Sequence, residues 1–134
     1  MDPPAAQPLS SGAPSEDDAG APAELTVERH VVGRRTVLRV DGEVDLSSVA
    51  TLRSAVEDAL DSGAHELWLD LTPTTFMDSS GLHVLLDTEA RVRKLARRLA
   101  IVCPEGAVRR LFEVAGVAAA LPLYEDRAAA NRDA

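Results

Sequence analysis

"ELWLDLTPTTFMDSSGLHVLL", residues 66–86, decides the fold. Glu66–Thr72 is a short apolar run of strand length, and "PTTF" reads as a loop. From Asp78 onward the hydrophobes fall at helical spacing: Leu82, Leu85, Leu86, then Val92 and Leu95. Asp78 suits the N-cap, with Ser79 and Ser80 in the first turn. Arg91, Arg93, Lys94, Arg97 and Arg98 crowd the far end, where cations suit the helix dipole. A strand that passes through a loop into a helix of this length is half of a parallel crossover unit.

The same grammar extends both ways. Toward the N-terminus, "LTVERHVV" (25–32) alternates with period two, "GRR" turns the chain, and "TVLRV" (36–40) is a second strand, so an antiparallel hairpin is expected. "DGEVD" (41–45) then breaks the strand pattern. Val49, Leu52, Val56, Ala59 and Leu60 form one helical stripe, capped by Asp45 or Ser47 and ended by Gly63. Toward the C-terminus, "LAIVC" (99–103) is a strand, "EGAVRRLFEVAGV" (105–117) a helix, and "ALPLY" (120–124) a last short strand. The order β-β-α-β-α-β-α-β predicts an α/β domain with a mixed, mostly parallel sheet and helices packed on it. Phe76, Met77, Trp68, Phe112 and Cys103 are assigned to the core or its edge.

Residues 1–24 are rich in Pro, Ala, Ser and acid and almost free of large apolar groups. Such a segment cannot offset its ordering entropy, so a disordered acidic leader is expected. Residues 25–124 are then one domain, and 125–134 a C-terminal tail, frayed helix or coil.

The totals narrow the function. Aromatic residues make up 3%, so the core is built from Leu, Val and Ala, and stacking on bases is disfavoured. Net charge is −8, with five acids and no base in residues 1–24, which disfavours nucleic acid and anionic membrane as partners. The lone Cys103 excludes an internal disulfide and a cysteine zinc cluster and fits a reduced, cytoplasmic setting. No apolar stretch approaches the roughly 18 residues of a membrane span, and the N-terminus lacks the pattern of a signal peptide.

The chemistry concentrates at Asp78-Ser79-Ser80. Loops after neighbouring parallel strands emerge together, so "DGEVD" and "TPTTFMDSS" are expected side by side, bringing Glu43 and Asp45 to Asp78, Ser79 and Ser80. An exposed Ser79 at a helix N-terminus suits a phosphate, yet the acidic neighbours would make added phosphate a repulsive signal to a partner. An ordinary helix cap explains the same residues and is compatible with the switch. Three rivals are weaker. Ser79, His83 and Asp87 at i, i+4, i+8 imitate a catalytic triad, but no Gly-x-Ser-x-Gly elbow or oxyanion loop accompanies them. A phosphoaspartate on Asp70 or Asp78, with Asp41, Glu43 and Asp45 nearby, lacks a suitably placed Lys, since Lys94 is the only one. Glycine-rich phosphate loops are absent, and His30 and His65 have no metal-ligand spacing. No cofactor and no metal are expected. Thr74 and Thr75 are loop hydroxyls open to modification, as is Ser80.

"VDGEVDLSSVATLRSAVEDAL", "LWLDLTPTTFMDSSGLHVLL" and "LAIVCPEGAVRRLFEVAGV" together resemble the STAS-domain anti-sigma factor antagonists of bacteria, over residues 25–124. The resemblance implies a small, non-enzymatic partner-switching protein. Unphosphorylated, it would bind an anti-sigma factor that is also a serine kinase of the histidine-kinase-like ATPase type, and so free a sigma factor. The kinase would phosphorylate the serine after the motif Asp, and a metal-dependent serine phosphatase would reset it. On this chain the phosphoacceptor is then Ser79, positioned by Asp78. Ser80 and Gly81 complete the turn, and the loop at Glu43 and Asp45 forms part of the docking face. His83 departs from the small residue expected one turn into the helix and bears on partner choice. A STAS-type scaffold that works without phosphorylation, in a signalling or transport assembly, is the alternative.

Overall fold

A computed structural model describes residues 25–133; the predicted leader, 1–24, lies outside the described residues. The chain runs β1 (Thr26–Val32), β2 (Arg35–Val44), α1 (Val49–Asp61), β3 (Glu66–Asp70), β4 (Thr74–Met77), α2 (Ser79–Lys94), β5 (Arg98–Val102), α3 (Ala107–Val114), a 3-10 turn (Ala118–Ala120), β6 (Leu123–Tyr124) and α4 (Arg127–Arg132). The fold is α/β, and the sheet is mixed and mostly parallel. Its strands lie in the order β1-β2-β3-β5-β6, with β4 paired to β2. β1 and β2 form the antiparallel hairpin, while β2–β3, β3–β5 and β5–β6 are parallel.

Alternation along the strands sorts side chains to two faces. Leu38, Val40, Leu67, Leu69, Leu99 and Ile101 face α1, α2 and α3. They join Leu52, Val56, Leu85, Val92 and Phe112 in the main core. The opposite face carries a smaller cluster of Val37, Trp68, Ala100, Val102 and Ala130, with Tyr124 against it. The Arg35 guanidinium lies 3.9 Å over the Trp68 ring, and the Trp68 Nε1–H donates to Glu66 at 2.8 Å. Glu66 is also paired with Arg98.

The structure departs from the sequence expectation at two places. The expected tail contains α4, which docks on the smaller cluster. Ala130 is fully buried there. Arg127 Nε donates to the Asp70 carboxylate at 2.8 Å, and Arg98 donates to the Ala130 carbonyl at 3.0 Å. A six-residue helix, half of it Ala, has no amphipathic stripe to announce it; side chains from the sheet hold it. The second departure is at the top of the sheet. β2 does not stop at Val40 but continues through "DGEV" to Val44, past an irregularity between Gly42 and Glu43. "TTFM", of which "TTF" was expected as loop, is the strand β4. β4 does not alternate cleanly and "DGEV" carries a glycine and two acids, so each half is a strand because the other supplies its ladder.

Candidate functional site

The site is built where β2 hands its pairing from β3 to β4. β2 pairs with β3 over Arg35–Arg39 and then with β4, placing Glu43 beside Phe76 and Val44 beside Met77. Thr74 and Thr75 fasten the graft: Thr74 Oγ1 donates to the Val40 carbonyl at 2.7 Å, and Thr75 Oγ1 donates to the Gly42 carbonyl at 3.2 Å. One residue beyond β4, the Asp78 N–H donates to the Val44 carbonyl at 3.0 Å, and α2 begins.

Asp78 is the N-cap. Its Oδ1 accepts from the Ser80 N–H at 2.8 Å and from the Ser80 hydroxyl. The Ser80 hydroxyl, with the Ser80, Gly81 and Leu46 N–H groups, holds the Asp78 carboxyl below its ordinary range. The Leu46 contact bridges the β4–α2 corner to the β2–α1 loop. Asp45 organises that loop in the same way. Its Oδ1 accepts from the Ser47 hydroxyl at 2.8 Å and from the Ser47 and Ser48 N–H groups at 3.0 and 3.1 Å. The Ser47 hydroxyl leads in lowering the Asp45 pKa. Ser48 Oγ donates to the Glu43 carbonyl at 2.8 Å. Glu43, Asp45 and Asp78 thus form one acidic rim, and the structure brings them together with Ser79 and Ser80. The joining element is direct β2–β4 pairing rather than adjacent loops after β2 and β3.

Within that rim Ser79 is exposed. Asp78 and Ser80 are bonded to each other, whereas no hydrogen bond to the Ser79 hydroxyl is formed among the described residues. Two large apolar side chains project from the adjoining segments: Leu46 is 80% exposed and Phe76 is 47% exposed. A short sheet graft, an exposed serine on a capped helix, an acidic rim and two projecting apolar side chains make up this surface.

The STAS domain pattern matches residues 24–130. The chain belongs to the STAS domain family.

Relatives of this STAS domain carry consistent names. It is 25% identical over 93 residues to the anti-sigma-B factor antagonist of Staphylococcus aureus (strain NCTC 8325 / PS 47), covering 69% of this chain and 86% of that protein. An anti-sigma factor antagonist from Mycobacterium paratuberculosis matches with a TM-score of 0.72 and 27% identity, covering 78% of this chain and 88% of that one. The anti-sigma factor antagonist SpoIIAA, solved in its unphosphorylated form, matches with a TM-score of 0.56 and 27% identity, over 66% of this chain and 82% of that one. The match ends at residue 130, within α4.

Several expectations about single residues change in this STAS domain. Phe76, assigned to the core, projects outward, because neighbouring residues on β4 face opposite ways and Met77 takes the inward place. Gly81 is buried, and a Cβ there would stand 2.7 Å from Val44 Cγ1 and 2.8 Å from Met77 Cγ. It sets how closely α2 approaches β2 and β4, and offers a partner no surface. Thr74 is buried and bonded, so its hydroxyl is closed to modification. Leu46 is not among the residues the sequence singles out, although an apolar residue between Asp45 and Ser47, ahead of the helical stripe, is the signal that could have found it.

The rival chemistries find no geometry. Ser79, His83 and Asp87 are all exposed on α2. No hydrogen bond links them among the described residues, as a triad requires. Asp70 is 4% exposed. Its Oδ1 accepts from Thr72 N–H and Oγ1 at 3.0 and 2.6 Å, while Arg127 holds Oδ2. Burial pushes the Asp70 pKa up, but the Thr72 and Arg127 hydrogen bonds outweigh it and leave the value lowered. That carboxylate is committed to structure. Among the described residues no group of three or more His, Cys, Asp or Glu could hold a metal, and no helix is long and apolar enough to cross a membrane.

Proposed function

We propose that this STAS domain is an anti-sigma factor antagonist, a non-enzymatic cytoplasmic switch read through Ser79. Unphosphorylated, it binds an anti-sigma factor that is a serine kinase with the histidine-kinase-like ATPase fold, and a sigma factor is released. Phosphorylation of Ser79 ends the complex, and a metal-dependent serine phosphatase restores it. One observation carries the reading: of the three polar side chains at the start of α2, Asp78 and Ser80 are locked together, while Ser79 is exposed and its hydroxyl has no hydrogen bond among the described residues. The names of the relatives support the anti-sigma factor as partner. Leu46 and Phe76 form the apolar centre of the docking face, with Glu43, Asp45 and Asp78 as its acidic rim. A phosphate adds about −1.5 to −2 charge inside that rim, which turns a surface matched to basic groups and a small hydroxyl into one that is overcharged and crowded.

The test is a pull-down from the native cell with wild-type, Ser79→Ala and Ser79→Asp baits, read by mass spectrometry. Capture of an ATPase-fold kinase by the first two and its loss with the third is expected. Retention of the same proteins by all three would replace the switch with a phosphorylation-independent scaffold.

A further inference from the structure

We infer that His83 is the counter-ion of the phosphorylated switch: its imidazolium pairs with a phosphate on Ser79, so that the charge of the phosphorylated site follows pH. The inference rests on the proposed phosphorylation of Ser79 and concerns what happens to the phosphate once it is there. A phosphate at the start of a helix would ordinarily take the free backbone N–H groups of the first turn. In this chain the Asp78 carboxylate already takes one of them and competes for the others. It accepts from Ser80 N–H at 2.8 Å, and the Gly81 N–H is also directed to it. With that N–H taken and the Asp78 charge beside it, a side-chain cation is the natural counter-charge for the phosphate.

The supply of cations is small. The end of β2 (Asp41–Val44), the loop to α1 (45–48), β4 and the first two turns of α2 (Ser79–Leu86) contain no Arg or Lys. Together with the cap residue Asp78 they hold the acids Asp41, Glu43 and Asp45 and one basic group, His83. Ser79 and His83 are both exposed and stand one turn apart on α2. Helical side chains lean toward the N-terminus, which carries His83 toward Ser79. The charged groups on the elements packed around α2 have other engagements or other neighbours. On α1, Arg53 and Glu57 share a groove with Asp87 and Arg91 of α2. On α3, which packs on β4, Arg109 donates to the Cys103 carbonyl at 2.8 Å, and Arg110 lies on the exposed surface. At the far end of α2, Arg93 is paired with Glu89.

A phosphoserine loses its second proton near pH 6, and imidazole is the side chain that changes charge in the physiological range. Paired, they titrate as a unit: each favours the charged form of the other, and the apparent midpoints move apart. Toward lower pH the rim carries a phosphate partly neutralised by His83; toward higher pH it carries the full dianion and a neutral imidazole. The signal that ends partner binding is therefore stronger at higher pH.

The experiment uses the full chain with phosphoserine installed at position 79 by codon reassignment, so no kinase is needed. Imidazole Cε1–H resonances are followed against pH by NMR, and the phosphoserine by ³¹P, in this protein, in the unmodified chain and in the phosphorylated His83→Gln variant. Phosphorylation is expected to raise the His83 midpoint by about half a pH unit or more, with His30 and His65 unmoved. The ³¹P midpoint is expected to lie lower in the phosphorylated protein that keeps His83 than in the phosphorylated His83→Gln variant. A His83 midpoint that stays put, or moves no more than those of His30 and His65, overturns the pairing. Neither result depends on the use of the switch in cells, which fails separately if Ser79 is found unmodified there.

Discussion

Gly81 shows how little room the switch corner leaves. Its missing side chain lets α2 lie against Val44 and Met77, and a methyl group would enter both van der Waals envelopes. Gly81→Ala is expected to lose about 1–3 kcal/mol by overpacking, visible as a lower urea midpoint with an unchanged slope; an unaltered midpoint would refute the close approach. Asp78 and Ser79 are neighbours with opposite situations. The carboxylate is held by backbone and hydroxyl donors on both sides of the corner, and the hydroxyl beside it is left without a bond among the described residues. That contrast is invisible in the string Asp-Ser-Ser, where either serine could have been the bonded one.

At the scale of elements, α4 depends on its neighbours. It is too short to be stable alone, and Asp70, Arg98 and Arg35 of the sheet hold it by hydrogen bonds to Arg127, the Ala130 carbonyl and Asn131. Arg127→Ala leaves a buried carboxylate short of a partner. Discounted for the half-exposed guanidinium, the expected loss is about 1–2 kcal/mol. Because the folded Asp70 pKa is lowered, the stability it contributes is present above the ordinary carboxylate pKa and disappears as pH falls through the lowered value. The gap between wild type and variant should accordingly be full at neutral pH and shrink on acidification, as thermal melts from neutral pH down to about 3 would record. A gap independent of pH would mean that Arg127 acts by packing alone. The graft of β4 onto β2 is the other dependent element: four residues, two of them threonines that bond back to β2.

Across the whole molecule the core is mainly aliphatic and the charge is unevenly spread. Cys103 is 1% exposed, and burial pushes its thiol up to about 11. Alkylation of the native protein at neutral pH should be on the order of 100-fold slower than in the urea-unfolded chain. Comparable rates would mean that this part of the core opens readily. The C-terminal ends of the parallel strands carry Glu43, Asp45 and Asp78 beyond the ion-paired Asp41 and Asp70, while the opposite end carries Arg34, Arg97 and the Arg35–Glu66–Arg98 ion-pair group. This polarity would steer a basic partner surface toward Ser79. The association rate with the captured kinase should therefore fall as salt is raised, more steeply than the dissociation rate changes; a salt-insensitive rate would assign docking to Leu46 and Phe76 without the rim.

Local pattern was enough for much of this protein. The period-two hairpin, the apolar stripes of α1 and α2, the Asp78 cap and the strand-helix alternation each involve residues close in sequence, whose side-chain spacing sets their structure directly. So did the choice of Ser79 for attention. Tertiary structure decided the rest. It turned "TTFM" and "DGEV" into paired strands, sent Phe76 outward, buried Gly81, fixed α4 to Asp70 and left the Ser79 hydroxyl without a hydrogen bond among the described residues. The first and the fourth of these depend on partners some thirty to sixty residues away, as from Val40 to Thr74 or Asp70 to Arg127. Such partners leave no periodic trace in the sequence around either residue, because the pairing energy exists only once both segments are already in place.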